Sequence, residues 1–271
     1  MTELDENLPV LEERNFKLTD NAKLSYIVSQ GTKELTIIFI HGLGSSKYDF
    51  LDVFNYEEMI SYNLVLIDLV GHGNSSIPED FSFTMKEQAE VLLKIIDSLK
   101  LPEDIVIVAH SMGGPIGIIL SELLGIRCVG LIYVEGNLDE NDCFFSKEII
   151  SNNNFEDWLA TGFNNCVEDL RKDPEIKEYT ENFIKAGAET IFRSSLDLVK
   201  ESIEEELFHR VVNLSIPVLA IYGEKNKGRF TSEEKLASKF PLIFIPNADH
   251  GLMIQNPEKF YEALIDFLSQ F

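Results

Sequence analysis

Short apolar runs recur along this chain, and each one ends in a polar or glycine-rich turn. Runs of about four to eight residues, rich in Val and Ile, are typical of strands that are buried on both faces of a sheet. Between most of these runs lie longer segments whose apolar residues repeat at helical spacing. This alternation predicts an α/β fold with a doubly wound, mostly parallel sheet. The apolar runs cover residues 35–40, 64–68, 105–108, 128–134, 217–223 and 242–246.

The same patterns predict several local structures. Two segments rich in β-forming residues predict an antiparallel hairpin over residues 16–28. The apolar spacing in residues 84–99 predicts an amphipathic helix with Thr84 as its N-cap. Thr231 is followed by Glu234 at the third position, which is the pattern of a capping box at the start of another helix.

Residues 137–213 break the alternation of strands and helices. They contain no convincing strand and predict several short helices joined by polar turns. The segment holds 18 acidic and 8 basic side chains, so it carries −10 of the formal net charge of −23. We therefore expect a solvated helical lid, inserted into a core that is formed by residues 1–136 and 214–271. Its aromatic side chains are expected to pack over the strand ends: Phe144, Phe145, Phe155, Trp158, Phe163, Phe183 and Phe192.

The charge and composition exclude several classes of partner. A net charge of −23 repels the phosphates of nucleic acids and anionic membrane surfaces, so we expect neither as a partner. No apolar run reaches the roughly 18 residues that cross a bilayer. No pattern indicates an oligomeric state. The partner that remains is a small molecule.

The first residues and the cysteines indicate the expected cellular location and metal content. Residues 1–13 form a polar, acidic lead-in without the pattern of a signal peptide. The three cysteines, Cys128, Cys143 and Cys166, are widely spaced and fit neither a disulfide framework nor a zinc site. We therefore expect a cytoplasmic protein with reduced thiols and no metal.

Ser111 lies where one apolar run changes directly into a helical pattern. A strand that becomes a helix within two residues must bend sharply, which pushes Ser111 towards a positive φ angle. The small residues Ala109, Gly113 and Gly114 let the flanking backbones pass each other. The hydroxyl would then lie above the free N–H groups of a helix N-terminus. This placement suits a nucleophile.

Residues 109–113, Ala-His-Ser-Met-Gly, resemble the nucleophile elbow G-x-S-x-G of the α/β-hydrolases, with Ala109 in place of the first glycine. Two further motifs follow the order of that family. Residues 41–44, His-Gly-Leu-Gly, resemble its oxyanion loop, and residues 247–251, Asn-Ala-Asp-His-Gly, resemble its histidine loop. The resemblance extends from about residue 16 to residue 271.

The resemblance implies roles for individual residues. Ser111 is the expected nucleophile and His250 the base that removes its proton, because a serine hydroxyl is a poor nucleophile at neutral pH. The backbone N–H groups of Leu43 and Met112 are expected to bind the oxyanion. This chemistry requires neither a metal nor an organic cofactor.

The residue that orients the histidine has several candidates in the sequence. The family usually places an aspartate in a Gly-x-x-Asp pattern after the strand that follows the lid, but Asn226 occupies that position here. Glu135 ends the apolar run 128–134, where some family members carry the acid, and we expect it to pair with His250. Glu224 and Asp249 are weaker candidates.

These residues predict a serine hydrolase that cleaves a small, neutral carboxylic ester or a related acyl compound. A serine excludes haloalkane dehalogenase chemistry, because its attack on an alkyl halide would leave a stable ether. One alternative is a C–C hydrolase of meta-cleavage products; the acidic lid and the lack of an arginine near the motifs argue against its anionic substrates. A second alternative is a ligand-binding protein whose triad has decayed. Asn226, in the position of the family's usual aspartate, is the feature that favours it.

Overall fold

An eight-stranded sheet forms the centre of the protein, whose computed structural model describes residues 12–203 and 206–271. The strands lie in the order β1-β2-β4-β3-β5-β6-β7-β8. The predicted polar lead-in falls almost entirely outside the described residues. The strands are β1 Glu13–Lys17, β2 Lys23–Ser29, β3 Thr36–Ile40, β4 Asn63–Ile67, β5 Ile105–His110, β6 Cys128–Val134, β7 Val218–Gly223 and β8 Leu242–Ile245.

The sheet is mostly parallel, as the sequence predicts. β1 and β2 form the expected antiparallel hairpin, and β2 also runs antiparallel to β4. Every other neighbouring pair is parallel. Strands β3, β4 and β5 are buried along their whole length, because helices cover both faces of the sheet.

Helices pack on the sheet in two layers, each with its own apolar core. One layer includes the helices Met85–Ser98 and Gly113–Leu124, and the other contains the helix Pro257–Leu268 and the 3₁₀ helix Lys47–Asn55. The helices are α1 Glu57–Ile60, α2 Met85–Ser98, α3 Gly113–Leu124, α4 Phe144–Asn152, α5 Phe155–Asp157, α6 Phe163–Leu170, α7 Lys177–Glu201, α8 Glu206–Asn213, α9 Ser232–Ala237, α10 Leu252–Gln255 and α11 Pro257–Leu268.

One predicted helix cap forms and the other does not. The Thr84 side chain accepts a hydrogen bond from the N–H of Glu87, so the N-cap of α2 is confirmed. The capping box at α9 is wrong, because Thr231 has helical φ and ψ angles and its side chain does not cap the helix. Its hydroxyl instead donates to Asp139, which lies just after β6.

The stretch between β6 and β7 is helical, and no strand occurs in its described part. We call residues 137–213 the helical segment. The longest element, α7, spans 25 residues and joins two shorter helices at Gly187. Gly187 kinks α7 with a φ angle of 79°, and the Trp158 indole donates to the carbonyl of Ala188 beside the kink. Most of the aromatic rings of the helical segment contact one another: Phe145–Phe183, Phe155–Phe192, Trp158–Phe163, Trp158–Phe192 and Phe163–Phe183.

Candidate active site

Ser111 is held at the sharp turn between β5 and α3. Its φ angle is 53°, as the sequence predicts. The N–H of Ser111 donates to the carbonyl of Val134 at 3.0 Å, and its own carbonyl accepts from the N–H of Gly114 at 2.8 Å. These two bonds tie the turn to β6 on one side and to the helix on the other, so the hydroxyl stays above the helix N-terminus.

Small residues are required around this turn because other backbones and rings come very close. A Cβ atom at Gly113 would lie 2.7 Å from the carbonyl oxygen of Ile40. One at Gly114 would lie 2.7 Å from the Tyr133 ring, and one at Gly42 would lie 2.9 Å from the Cβ of Ser111. The glycines therefore allow β3, β6 and the loop after β3 to approach Ser111.

Glu135 follows directly after β6 and is completely buried. Its φ angle is 40°, and its N–H donates to the carbonyl of Ile221 at 2.9 Å. Its Oε1 accepts from the N–H of Gly223 at 2.6 Å, and the Asn226 amide donates to both carboxylate oxygens at 3.0 and 3.1 Å. A buried carboxylate without such donors would be destabilising, and these N–H groups supply hydrogen bonds to both of its oxygens.

His250 connects Glu135 to Ser111. Its Nδ1 lies 2.7 Å from Oε2 of Glu135, and its Nε2 lies 3.0 Å from Oγ of Ser111. Because an ionised carboxylate only accepts hydrogen bonds, Nδ1 carries the proton and Nε2 is free to accept from the serine hydroxyl. The imidazole is about half exposed, at 47%, and the Phe230 ring stacks on it at 6.2 Å between centroids.

The structure thus brings together Ser111, His250 and Glu135, and it places Asn226 behind them. Asn226 does not contact the imidazole in place of an acid. It donates to the carboxylate that does. The two weaker candidates lie elsewhere: Glu224 accepts from the N–H of Asn247, and Asp249 accepts from Gln255.

Two buried histidines hold the loops of the site. The Nε2 of His110 donates to the carbonyl of His250 at 2.9 Å. His41 accepts from the N–H of Leu69 at 3.0 Å and donates to the carbonyl of Gly42 at 2.8 Å. Burial lowers the pKa of His41 to about 4 and the pKa of His110 well below its usual value. Both imidazoles are therefore neutral at pH 7 and serve as fixed hydrogen-bonding groups.

The loop after β3, residues 41–46, begins with the motif that resembles an oxyanion loop, and its Gly42 lies against Ser111. No hydrogen bond from the N–H of Leu43 or of Met112 occurs within the described residues. Met112 is the residue before α3, where helical N–H groups have no partner in the helix. The two donors expected from the sequence therefore have no hydrogen-bond partner among the described residues.

Lys47, at the end of this loop, is fully buried and paired. Its ammonium lies 2.6 Å from Asp68, 3.0 Å from Ser25 and 3.3 Å from Glu13. Partial burial would raise the pKa of Glu13, but hydrogen bonds from Tyr48 and Asn74 and the charge of Lys47 lower it to about 2. This charged cluster fixes the end of the oxyanion loop to the first two strands.

One arginine lies closer to the site than the sequence indicates. Arg229 follows the Asn226 turn, and its guanidinium lies 3.4 Å from the Asn226 side-chain oxygen. It also lies 4.8 Å from the centre of the Phe144 ring. The expectation that no arginine is near the motifs is therefore wrong, because residues 224–229 bend back towards Glu135.

Two further properties of the described residues concern metal ions and membranes. In the described ranges, no group of three or more His, Cys, Asp or Glu side chains is arranged to hold a metal ion. Among the helices that the structure describes, none is both long enough and apolar enough to cross a membrane.

Comparison with known sequences shows the family of this chain. The sequence model of the Alpha/beta hydrolase family matches residues 37–263, which include all of the site residues described above. The chain belongs to the alpha/beta hydrolase family. A thermophilic esterase from Thermogutta terrifontis has the same fold, with a TM-score of 0.76 at 19% identity over 96% of this chain and 98% of that one.

Curated relatives of this alpha/beta hydrolase match it over different lengths. "Lipase 3" of Moraxella sp. (strain TA144) is 23% identical over 239 residues, which are 80% of this chain and 70% of that protein. "Probable lysophospholipase BODYGUARD 4" of Arabidopsis thaliana is 32% identical over 103 residues, or 38% of this chain. The chain spans only 24% of the length of this Arabidopsis relative.

Some contacts in the site of this alpha/beta hydrolase were not indicated by the sequence. The hydrogen bond from His110 to the His250 loop and the support of Glu135 by Asn226 join positions far apart in the chain. Asn226 was recognisable only as a departure from the family pattern. Tyr179, on α7, carries no sequence signal and donates to the carbonyl of Leu43 at 3.2 Å.

Proposed function

We propose that the protein is a serine hydrolase that cleaves a small carboxylic ester or a related acyl compound through an acyl-enzyme on Ser111. The observation that carries the proposal is the continuous hydrogen-bonded series from Ser111 through His250 to the buried Glu135. A serine, an imidazole with its Nδ1 proton on a carboxylate, and free N–H groups beside the serine are the groups that acyl transfer needs.

In the proposed acylation, Oγ of Ser111 attacks the acyl carbonyl carbon while Nε2 of His250 takes the hydroxyl proton. The N–H groups of Leu43 and Met112 bind the negative charge that forms on the carbonyl oxygen. The ionised Glu135 stabilises the imidazolium. The tetrahedral intermediate then breaks its bond to the alcohol oxygen, and the imidazolium returns its proton to that leaving group.

In the proposed deacylation, water attacks the acyl-enzyme and gives a proton to His250. The second tetrahedral intermediate breaks its bond to Ser111, which recovers the proton, and the carboxylic acid leaves. The carbonyl of His250 accepts from the neutral His110 throughout. His110 therefore limits movement of the base between the two half-reactions.

We also propose that residues 137–213 act as a lid and that residues 1–136 and 214–271 form the core. Contacts between α7 and two loops of the site support this assignment. A Cβ atom at Gly44 would lie 2.6 Å from the Phe183 ring, and one at Gly71 would lie 2.9 Å from the Thr190 side chain. We propose that a substrate enters past this helix.

For the substrate we propose a small neutral ester. The names of the relatives, a lipase, a lysophospholipase and an esterase, share carboxylic ester chemistry. The helical segment has 18 acidic and 8 basic residues, which disfavours a strongly anionic ligand.

The three free cysteines support a cytoplasmic location, where thiols stay reduced.

The experiment that tests this function is labelling with a fluorophosphonate, which reacts only with an activated serine. We expect the wild-type protein to be labelled and Ser111→Ala to lose both the label and at least about 10³-fold in kcat on p-nitrophenyl acetate. Ser98→Ala is the matched control, because this serine only bonds the carbonyl of Ile95 in α2. A folded Ser111→Ala protein that keeps its activity would contradict the proposal.

The same assay separates the two alternatives. Arg229 near Asn226 is the observation that favours a C–C hydrolase, whose substrate carries a carboxylate. Turnover of a vinylogous diketone acid without turnover of simple esters would identify that activity. A wild-type protein that is folded, unlabelled and inactive on both substrates would identify a ligand-binding protein.

A further inference from the structure

The oxyanion loop contains a β-turn whose central peptide has two possible orientations. The N–H of Ser45 donates to the carbonyl of Gly42 at 3.3 Å, which closes a turn over residues 42–45. Gly44 has a φ angle of 69°, whereas Leu43 has a negative one, which is the combination of a type II turn. Types I and II differ in the orientation of the central peptide, here the bond between Leu43 and Gly44.

Tyr179 of α7 holds that peptide in one orientation. Its hydroxyl donates to the carbonyl of Leu43 at 3.2 Å. Burial raises the pKa of Tyr179, so the hydroxyl keeps its proton and remains a donor. Rotation of the central peptide to the type I form would turn the Leu43 carbonyl away and break this bond.

Tyr179 is itself held by the aromatic side chains of the helical segment. Its ring lies 6.0 Å from that of Phe183, one turn further along α7. Phe183 is completely buried, stacks on Phe163 at 5.5 Å and packs against Gly44. The hydroxyl thus reaches the loop from a rigid position.

We propose that Tyr179 is a positioning residue for the oxyanion loop, through which the helical segment helps to align the N–H of Leu43 for acyl transfer. This inference rests on the proposed function. The bond restrains the Leu43–Gly44 peptide, which directly follows the N–H group assigned to the oxyanion. Since that N–H is needed most when charge develops on the carbonyl oxygen, the bond should affect the transition state more than substrate binding.

The test compares two variants that each remove one buried tyrosine hydroxyl. Tyr179→Phe loses the bond to Leu43, and Tyr261→Phe loses a bond of 3.0 Å to the carbonyl of Phe50. Both bonds join a tyrosine to a backbone carbonyl, so both variants should lose similar thermal stability. We expect kcat on p-nitrophenyl acetate to fall about fivefold to tenfold in Tyr179→Phe only, with KM unchanged.

A transition-state mimic gives a second measurement that a purely structural role would not change. A trifluoromethyl ketone places an oxyanion in the site, so its affinity should fall in Tyr179→Phe by the same factor as kcat/KM. Equal kcat values in Tyr179→Phe, Tyr261→Phe and the wild type would overturn the proposal, as would a rise in KM alone. If the wild type reacts with no fluorophosphonate, the proposed function fails as well, which distinguishes the two failures.

Discussion

The loops at the carboxyl ends of the strands and the helical segment contribute to the site in different ways. In the loops, Ser111 and Glu135 have positive φ angles, and backbone hydrogen bonds fix them to neighbouring strands. The helical segment instead reaches the site through side chains, such as those of Tyr179 and Phe183. Backbone φ angles and hydrogen bonds therefore fix the positions of the proposed catalytic groups. Side-chain packing instead fixes the position of the helical segment beside them.

This difference shows why the two regions should respond differently to substitution. A loop residue sits in a conformation and a hydrogen-bond set that few other residues satisfy. A buried ring in the helical segment can be replaced by another apolar side chain with a moderate loss of packing. Substitution of Ser111, His250 or Glu135 should therefore lower activity far more than substitution in the helical segment.

The largest effect is expected from Glu135→Gln, which retains the shape of the side chain and removes its charge. Every neighbour of the carboxylate is a donor, and the N–H of Gly223 at 2.6 Å must face the amide oxygen. The new NH₂ group then faces His250 and favours the wrong tautomer. We expect kcat to fall roughly 10³- to 10⁴-fold on p-nitrophenyl acetate, with the fold retained by circular dichroism.

Asn226→Ala is the matched comparison for Glu135→Gln. It removes the amide that donates to Glu135 but leaves the bonds from Gly223 and His250 in place. We expect a fall in kcat of only about tenfold and a loss of roughly 1 to 3 kcal/mol of stability. If Asn226→Ala abolished activity while Glu135→Gln kept it, our assignment of Glu135 would be wrong.

An intermediate effect is expected where the two regions meet, at Gly44. Gly44→Ala forces an alanine to a φ angle of 69° and places its Cβ 2.6 Å from the Phe183 ring. Gly228→Ala is the control, because its φ angle is 77° and no atom lies within 4 Å of the added Cβ. Thermal or urea unfolding should show an additional loss of about 1 to 3 kcal/mol for Gly44→Ala.

The same two variants should also differ in activity. Displacement of Phe183 would also displace Tyr179 and the oxyanion loop, so kcat/KM of Gly44→Ala should fall about tenfold. Gly228→Ala should retain wild-type activity. Equal stability and equal activity in the two variants would show that α7 does not pack against the oxyanion loop in solution.

The smallest effect is a pH dependence of stability at Glu13. Its pKa is lowered from 4.5 to about 2 in the folded protein, so the folded state favours the ionised form. This contribution is fully present above pH 4.5 and is lost as the pH falls towards 2. Glu13→Gln should therefore unfold at a lower urea concentration than the wild type at pH 6, by roughly 0.5 M or less, and the difference should vanish near pH 2.

A control separates this effect from general acid denaturation. Glu58→Gln removes a carboxylate from the exposed side of α1, and its midpoint should follow the wild type at every pH. A midpoint difference for Glu13→Gln that is constant from pH 6 to pH 2 would show that Glu13 acts through packing rather than through its charge.

The sequence indicated the strands and the proposed catalytic residues because both depend on local patterns. Apolar runs predict buried strands, and the small residues around Ser111 predict a sharp turn with a positive φ angle, which the structure confirms. Glu135 was a candidate because a charge directly after a buried strand needs a partner. The order of motifs in the α/β-hydrolases indicated the oxyanion loop and His250.

The helical segment was predicted only in outline, for a physical reason. Its helices pack mainly on one another and on α2 and α3. The spacing of apolar residues shows that a helix face is buried, but not which element covers it. The stacking of Phe163 on Phe183 and the bond from Tyr179 to Leu43 join residues 20 and 136 positions apart. The failed capping box at Thr231 has the same origin, since Asp139, 92 positions away, binds that hydroxyl.

The φ angles of Ser111 and Glu135 bear on how this protein was shaped by selection. A glycine would adopt φ angles of 53° and 40° without strain, whereas other residues pay about 1 to 3 kcal/mol each. Domains of this kind are stable by only about 5 to 15 kcal/mol. Stability alone would favour glycine at both positions. The protein instead carries a hydroxyl and a carboxylate there, which is the exchange of stability for activity expected of the proposed catalytic groups.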